Sequence, residues 1–139
     1  MTDDTCHVVA KESGGVLTLI LNDSGTRNAI GWEMASALSS QLDRFESSSH
    51  LRVLLLTGRD PTFCSGADVR RMAESNETRT TNSALSEDPW MELQRVWDNE
   101  TDVEREEMDE VRLLALRLHR LRKPSIAAIN GAAIGRGMG

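Results

Sequence analysis

The sequence predicts an α/β fold, a small sheet with helices packed around it. Three features carry that reading. Two strand-like runs meet at a Ser-Gly-Gly turn, a stretch of helical period follows, and a short apolar run comes after it. The strand-like runs are residues 7–12 and 16–22. Gly14 and Gly15 between them supply the positive φ that a tight hairpin turn needs. In the second run Leu17, Leu19 and Leu21 alternate with Val16, Thr18 and Ile20, so both faces are largely apolar and the strand is expected to be covered on both sides. A polar loop follows at residues 23–28. Met34, Leu38, Leu42 and Phe45 then recur at steps of three or four, one face of a helix over residues 30–47. Residues 52–57 read as a short buried strand, broken by Gly58-Arg59-Asp60-Pro61. A helix between two strands is a βαβ crossover, normally right-handed.

The 139 residues suffice for one ordinary domain, and 39% hydrophobic with 27% charged residues is a soluble globular mix. A net charge of −6, with no basic run to track a phosphate backbone, argues against nucleic-acid or membrane-surface binding. The acidic start Met1-Thr2-Asp3-Asp4 lacks the apolar stretch of a signal peptide, and apolar runs such as Val53-Leu54-Leu55-Leu56 are too short to span a bilayer. Two cysteines, Cys6 and Cys64, make no disulfide scaffold; reduced thiols and a cytoplasmic location are the expectation.

Residues 74–88 are strongly polar, and residues 74–100 as a whole are expected to form a mobile loop with a short helix near Pro89-Trp90-Met91. Thr101 and Glu104 have capping-box spacing. From there Met108, Val111, Leu114, Ala115, Leu118 and Leu121 form the apolar stripe of a second helix. Acidic residues gather at its start and Arg117, Arg120, Arg122 and Lys123 at its end, which complements the helix dipole. Pro124 stops it. A small-residue strand follows at 125–130, then a glycine-studded turn at 131–139.

Two segments carry the chemistry. One is Phe63-Cys64-Ser65-Gly66-Ala67-Asp68-Val69-Arg70; the other runs Lys123-Pro124-Ser125-Ile126-Ala127-Ala128-Ile129-Asn130-Gly131-Ala132-Ala133-Ile134-Gly135-Arg136-Gly137. Each resembles a signature of the crotonase (enoyl-CoA hydratase/isomerase) superfamily, and Arg27-Asn28-Ala29-Ile30 is similar to that family's short N-A-L/I element. The three occur in the family's order, and the resemblance extends from about residue 8 to the end of the chain. It implies the N-terminal part of the crotonase (ClpP/crotonase-like) spiral of ββα units. Residues 1–139 would then be an incomplete domain whose C-terminal half is absent.

The implied chemistry is intelligible on its own terms. Acyl-CoA reactions of this kind place negative charge on a thioester oxygen, and two rigid backbone N–H groups aimed at it stabilise an enolate-like transition state. Each such donor is worth ~3–4 kcal/mol. By position the donors would be the N–H groups of Ala67 and Arg136, the catalytic pair. The resemblance further implies substrate or CoA binding by Arg27, Ala29, Ser65, Gly66, Asp68, Val69, Arg70 and Gly135, with Arg27 or Arg70 near a CoA phosphate, a task suited to the guanidinium fork. No separate cofactor is implied, the CoA thioester being substrate, and no metal. A homotrimer or hexamer is expected for full-length relatives, not for a fragment.

Plainer readings stand beside these. Gly135–Gly139 alone could be an ordinary βα turn, and its spacing is wrong for a dinucleotide fingerprint. Cys64 reads as a small packing residue, not a nucleophile. His7, His50 and His119 have no metal-ligand spacing. Asp68 reads as a loop anchor in place of a general base, and the acids of 104–110 as a solvated helix face. Hydratase members carry a glutamate at the position that Gly139 occupies here, and glycine transfers no proton, so isomerisation or a variant reaction is at least as well supported as hydration. The expectation is a truncated piece of an acyl-CoA enzyme, inactive alone; a non-catalytic acyl-CoA-binding or assembly remnant is the alternative.

Overall fold

The computed structural model describes residues 6–68 and 113–138. The hairpin forms as its turn chemistry requires. Strands β1 (Val8–Ser13) and β2 (Val16–Leu21) pair antiparallel, from Val8 opposite Leu21 to Ser13 opposite Val16. Gly14 and Gly15 turn the chain at φ of 59° and 82°. Helix α1 (Trp32–Ser47) then carries the chain to β3 (Val53–Gly58), which lies parallel to β2. The predicted βαβ unit is therefore present, with α1 beginning two residues after the expected start.

A short strand, β4 (Thr62–Cys64), follows the turn after β3. Residues 113–119 are helical (α2), and β5 (Ser125–Ala128) returns parallel to β3, completing a sheet in the order β1-β2-β3-β5. Beyond it, β6 (Ala132–Ala133) pairs with β4 in a separate two-stranded ladder, and a 3-10 turn spans Gly135–Met138. The expected loop and short helix at 74–100, the capping box at Thr101 and the first half of the second helix lie outside the described residues.

One core holds these pieces together. Leu17, Leu19 and Leu21 of β2 face Met34, Ala35, Leu38, Leu42 and Phe45 of α1, joined by Leu51, Leu54, Phe63, Cys64 and Leu114. Complete burial of a Leu or Phe side chain is worth ~1.5–3 kcal/mol, so this stripe is the main driving force of the fold. Leu114 and Leu118 of α2 join this core as the stripe predicts, whereas Ala115 is exposed; the helix ends at residue 119, short of Pro124, and Leu121 packs from beyond it. Arg117 clips α2 to α1, donating to Asp43 Oδ1 at 2.6 Å, to Glu46 and to the Ser39 carbonyl.

The expectation that β2 is covered on both sides is corrected. Leu17, Leu19 and Leu21 are buried, but Val16, Thr18 and Ile20 are only half-buried. The helix that follows β2 packs on one face, and parallel partners share a face, so Thr18, Leu55 and Ile126 line up on the opposite one. Ile126 there is 55% exposed.

Candidate functional site

Two loops converge beyond the β4–β6 ladder, one leaving each strand. The first leaves β4 as Ser65-Gly66-Ala67-Asp68 and is stitched to residues 26–30. Ser65 donates its N–H to the Arg27 carbonyl at 3.1 Å and its hydroxyl to the Thr26 carbonyl at 2.8 Å. Ile30 donates to the Gly66 carbonyl at 2.7 Å, and Ile30 and Ala67 form a parallel bridge. A parallel bridge bonds one residue to the two neighbours of its partner. Since Ile30 N–H goes to Gly66, the bonding edge of the loop is that of Gly66 and Asp68, and the N–H of Ala67 points away from residue 30. Gly66 has φ of 94°, which explains a glycine there: a β-carbon would be strained in that region.

The second loop is Ile134–Met138. Ile134 donates to the Cys64 carbonyl at 3.0 Å, and Gly137 donates back to Ile134 at 2.9 Å to close the 3-10 turn. Arg136 precedes that first intra-turn donor, so its N–H belongs to the open end of the turn. A β-carbon on Gly137 would stand 2.8 Å from Cys64 Cβ and 2.9 Å from its carbonyl oxygen. Only glycine lets the second loop lie so close to the first. The two segments singled out in the sequence, far apart in the chain, thus meet backbone to backbone.

The other residues expected at the site distribute as follows. Arg27 is exposed, at φ of 56°, on the rim formed by residues 26–30. Ala29 is buried and its N–H donates to Thr26 Oγ1 at 3.1 Å. Gly135 has φ of 53° and open space around it. Asp68 lies against the start of α1: its Oδ2 is 3.6 Å from where a Gly31 β-carbon would be. A carboxylate beside a helix N-terminus is favourably placed. Val69 and Arg70 lie outside the described residues. Among the described residues no group of three His, Cys, Asp or Glu could hold a metal ion.

Cys64 fits the packing role. Its thiol is fully buried and accepts a 3.4 Å contact from Gly66 N–H. Burial pushes its pKa above the ordinary 9.0, the Gly66 bond pulling part-way back. The folded chain therefore holds this proton where the unfolded chain releases it. The resulting stabilisation is complete below pH 9.0 and fades as the pH rises above it. In alkylation at neutral pH, exposed Cys6 is expected to label in the native chain and Cys64 only on unfolding. Cys64→Ala should flatten the alkaline part of the urea-midpoint profile.

Two asparagines had no role assigned in advance. Asn28 is buried, and its Nδ2 donates to the carbonyls of Arg59, at 3.1 Å, and Thr62, at 2.7 Å. Asn130 grips the same turn from the other side. Its Oδ1 accepts from Gly58 N–H at 3.1 Å and its Nδ2 donates to Asp60 at 2.9 Å. Their place inside motif-like segments was the available signal.

Comparison with known proteins decides the family. Residues 16–139 match the family model described as enoyl-CoA hydratase/isomerase. The chain belongs to the enoyl-CoA hydratase/isomerase family. It is 31% identical over 135 residues to a putative enoyl-CoA hydratase of Thermus thermophilus, covering 95% of this chain and 44% of that protein. It is 32% identical over 123 residues to the 1,2-epoxyphenylacetyl-CoA isomerase of Escherichia coli, covering 88% and 39%. A Pseudomonas aeruginosa protein of solved structure superposes with a TM-score of 0.72 at 30% identity, over 99% of this chain and 49% of that one. The crotonase fold expected from the motifs is the fold found. The chain spans 36% to 44% of the length of the curated relatives it matches.

Proposed function

We propose that this chain binds an acyl-CoA thioester and polarises its carbonyl between the main-chain N–H groups of Ala67 and Arg136, the oxyanion-stabilising part of a hydratase or isomerase. The observation that carries the reading is the pairing of an outward N–H at Ala67 with the open end of the 134–138 turn, packed together at Cys64 and Gly137. Donors fixed by backbone ladders need no reorganisation as charge develops on oxygen, which is why such holes act strongly. Ser65, Gly66, Asp68 and Ala29 would frame the thioester, with Arg27 at the rim near a CoA phosphate, and Val69, Arg70 and Gly135 completing the binding surface. Proton transfer to or from the substrate needs an acid or base in addition, and Asp68, set against α1, serves the loop. The thioester is substrate, no further cofactor enters the reading, the two free thiols suit a cytoplasmic setting, and a trimer or hexamer is the assembly proposed for the whole enzyme.

Proline at position 67 removes one donor while leaving the Gly66 and Asp68 bridge atoms in place. Ala67→Pro is expected to weaken binding of acetoacetyl-CoA, which can bind as its enolate, on the order of 100- to 1000-fold. Ala67→Gly, which keeps the N–H, should lose far less, and affinity for free CoA should change little. Calorimetric titration of the three chains is the check; equal acetoacetyl-CoA affinity in Ala67→Pro would rule out the donor at 67.

The second reading, an acyl-CoA-binding element without catalysis, is favoured by one observation. Among the described residues the two loops carry one carboxylate, Asp68, and it lies beside the start of α1. Thioester binding with carbonyl polarisation but without hydration or isomerisation would support it.

A further inference from the structure

We propose that Asn28 is a positioning residue for the Ala67 donor, an inference that rests on the oxyanion reading above. Asn28 is 1% exposed and sits at φ of 59°, a left-handed conformation that asparagine tolerates better than most residues. All of its carboxamide is used. Oδ1 accepts from Asp23 N–H at 2.9 Å, while Nδ2 bridges the carbonyls of Arg59 and Thr62. Its own N–H donates to the Asp23 carbonyl at 2.7 Å. The side chain therefore locks the 23–30 loop onto the turn that launches β4.

What hangs on that loop is the oxyanion segment. Thr26 and Arg27 accept from Ser65, and Ile30 reaches Gly66 and bridges Ala67. Each of these ties flanks Asn28 within two residues. With the β4 side fixed through Thr62, and the 26–30 side fixed through Asp23, Asn28 sets the separation between the two backbones that hold residues 65–67. Its hydrogen bonds go to Asp23, Arg59 and Thr62, so it acts on Ala67 through the backbone. Misplacement by ~1 Å can cost on the order of 100-fold in a reacting site, so a tie of this kind governs polarisation more than binding.

The test uses crotonyl-CoA isotope-labelled at its thioester carbonyl, bound to the chain and read by difference infrared spectroscopy. The native chain is expected to lower the carbonyl frequency relative to free thioester. Asn28→Gly preserves the backbone conformation and removes the tie; it should bind the thioester yet lose more than half of that shift. Asn28→Asp, which keeps the acceptor and loses both donors, should do the same. Retention of the full shift in either folded variant overturns the inference alone. A native chain that binds with no shift overturns the oxyanion reading, and the inference with it. Should both variants fail to fold, exchange of the native Asn28 side-chain amide protons decides. Protection that increases on thioester binding supports the tie, and solvent-like exchange overturns it.

Discussion

Replacing Gly131 with alanine is expected to cost the upper end of the ~1–3 kcal/mol seen for overpacking, or more, because nothing nearby can yield. A β-carbon there would lie 2.1 Å from the Pro61 carbonyl oxygen, 3.0 Å from its carbon and 3.2 Å from Thr62 Cα, all main-chain atoms. The chain is pinned on both sides of the collision. Asn130, just before, is bonded to Gly58 N–H and Asp60, and just after, Ala132 pairs with Thr62. Relief means breaking one of those attachments, and either movement displaces the 134–138 turn. Urea unfolding should show a lowered midpoint for Gly131→Ala, and acetoacetyl-CoA binding should fall with it. Gly14→Asn is the control: nothing lies within 4 Å of a β-carbon there, and asparagine tolerates its φ of 59°. Equal midpoints for Gly131→Ala and the native chain would mean that the approach of β6 to the 58–62 turn is looser than described.

Phe45→Ala should be the most damaging core truncation, at ~3–5 kcal/mol. The ring is fully buried on the inner face of α1. It has a second function that the helical period does not announce. Lys123 Nζ lies 4.8 Å from the ring centroid and donates to the Phe45 and Ser48 carbonyls, at 2.6 and 2.5 Å. The ammonium thus caps the open carbonyls at the C-terminal end of α1, where a cation is favoured. One residue later, the Pro124 carbonyl accepts from Leu54 N–H at 2.9 Å and β5 begins. Removing the ring takes away core volume and the face on which the ammonium rests, a contact worth about 0.5–2 kcal/mol. The double variant Phe45→Ala with Lys123→Met should therefore be less unstable than the sum of the two single changes. Strict additivity in urea titrations would show that Lys123 and the ring act separately.

Much of this architecture was legible in the residues because its signals are local. The Gly14-Gly15 turn, the alternating leucines of β2 and the three- and four-residue spacing of Met34, Leu38, Leu42 and Phe45 each describe geometry within one element. The candidate donors at Ala67 and Arg136 came from motif resemblance, not from periodicity. Nothing local announced β4 and β6, strands of three and two residues that exist only by pairing with each other across the chain.

The sequence by itself determined the α/β class, the hairpin, the first helix and its buried face, and the family. The class, the hairpin and the helix follow from hydrophobic period and turn chemistry, which are properties of neighbouring residues, and the family follows from the resemblance of three motifs in order along the chain. Only the tertiary structure decided that one face of β2 is covered and the other half open, since that depends on where α1 packs. It alone brought residues 65–67 and 134–138 together, and it alone gave Asn28 and Asn130 their work. Both depend on which distant carbonyls and N–H groups the fold brings within reach of a side chain, and the buried carboxamide of Asn28 must find such partners once desolvated.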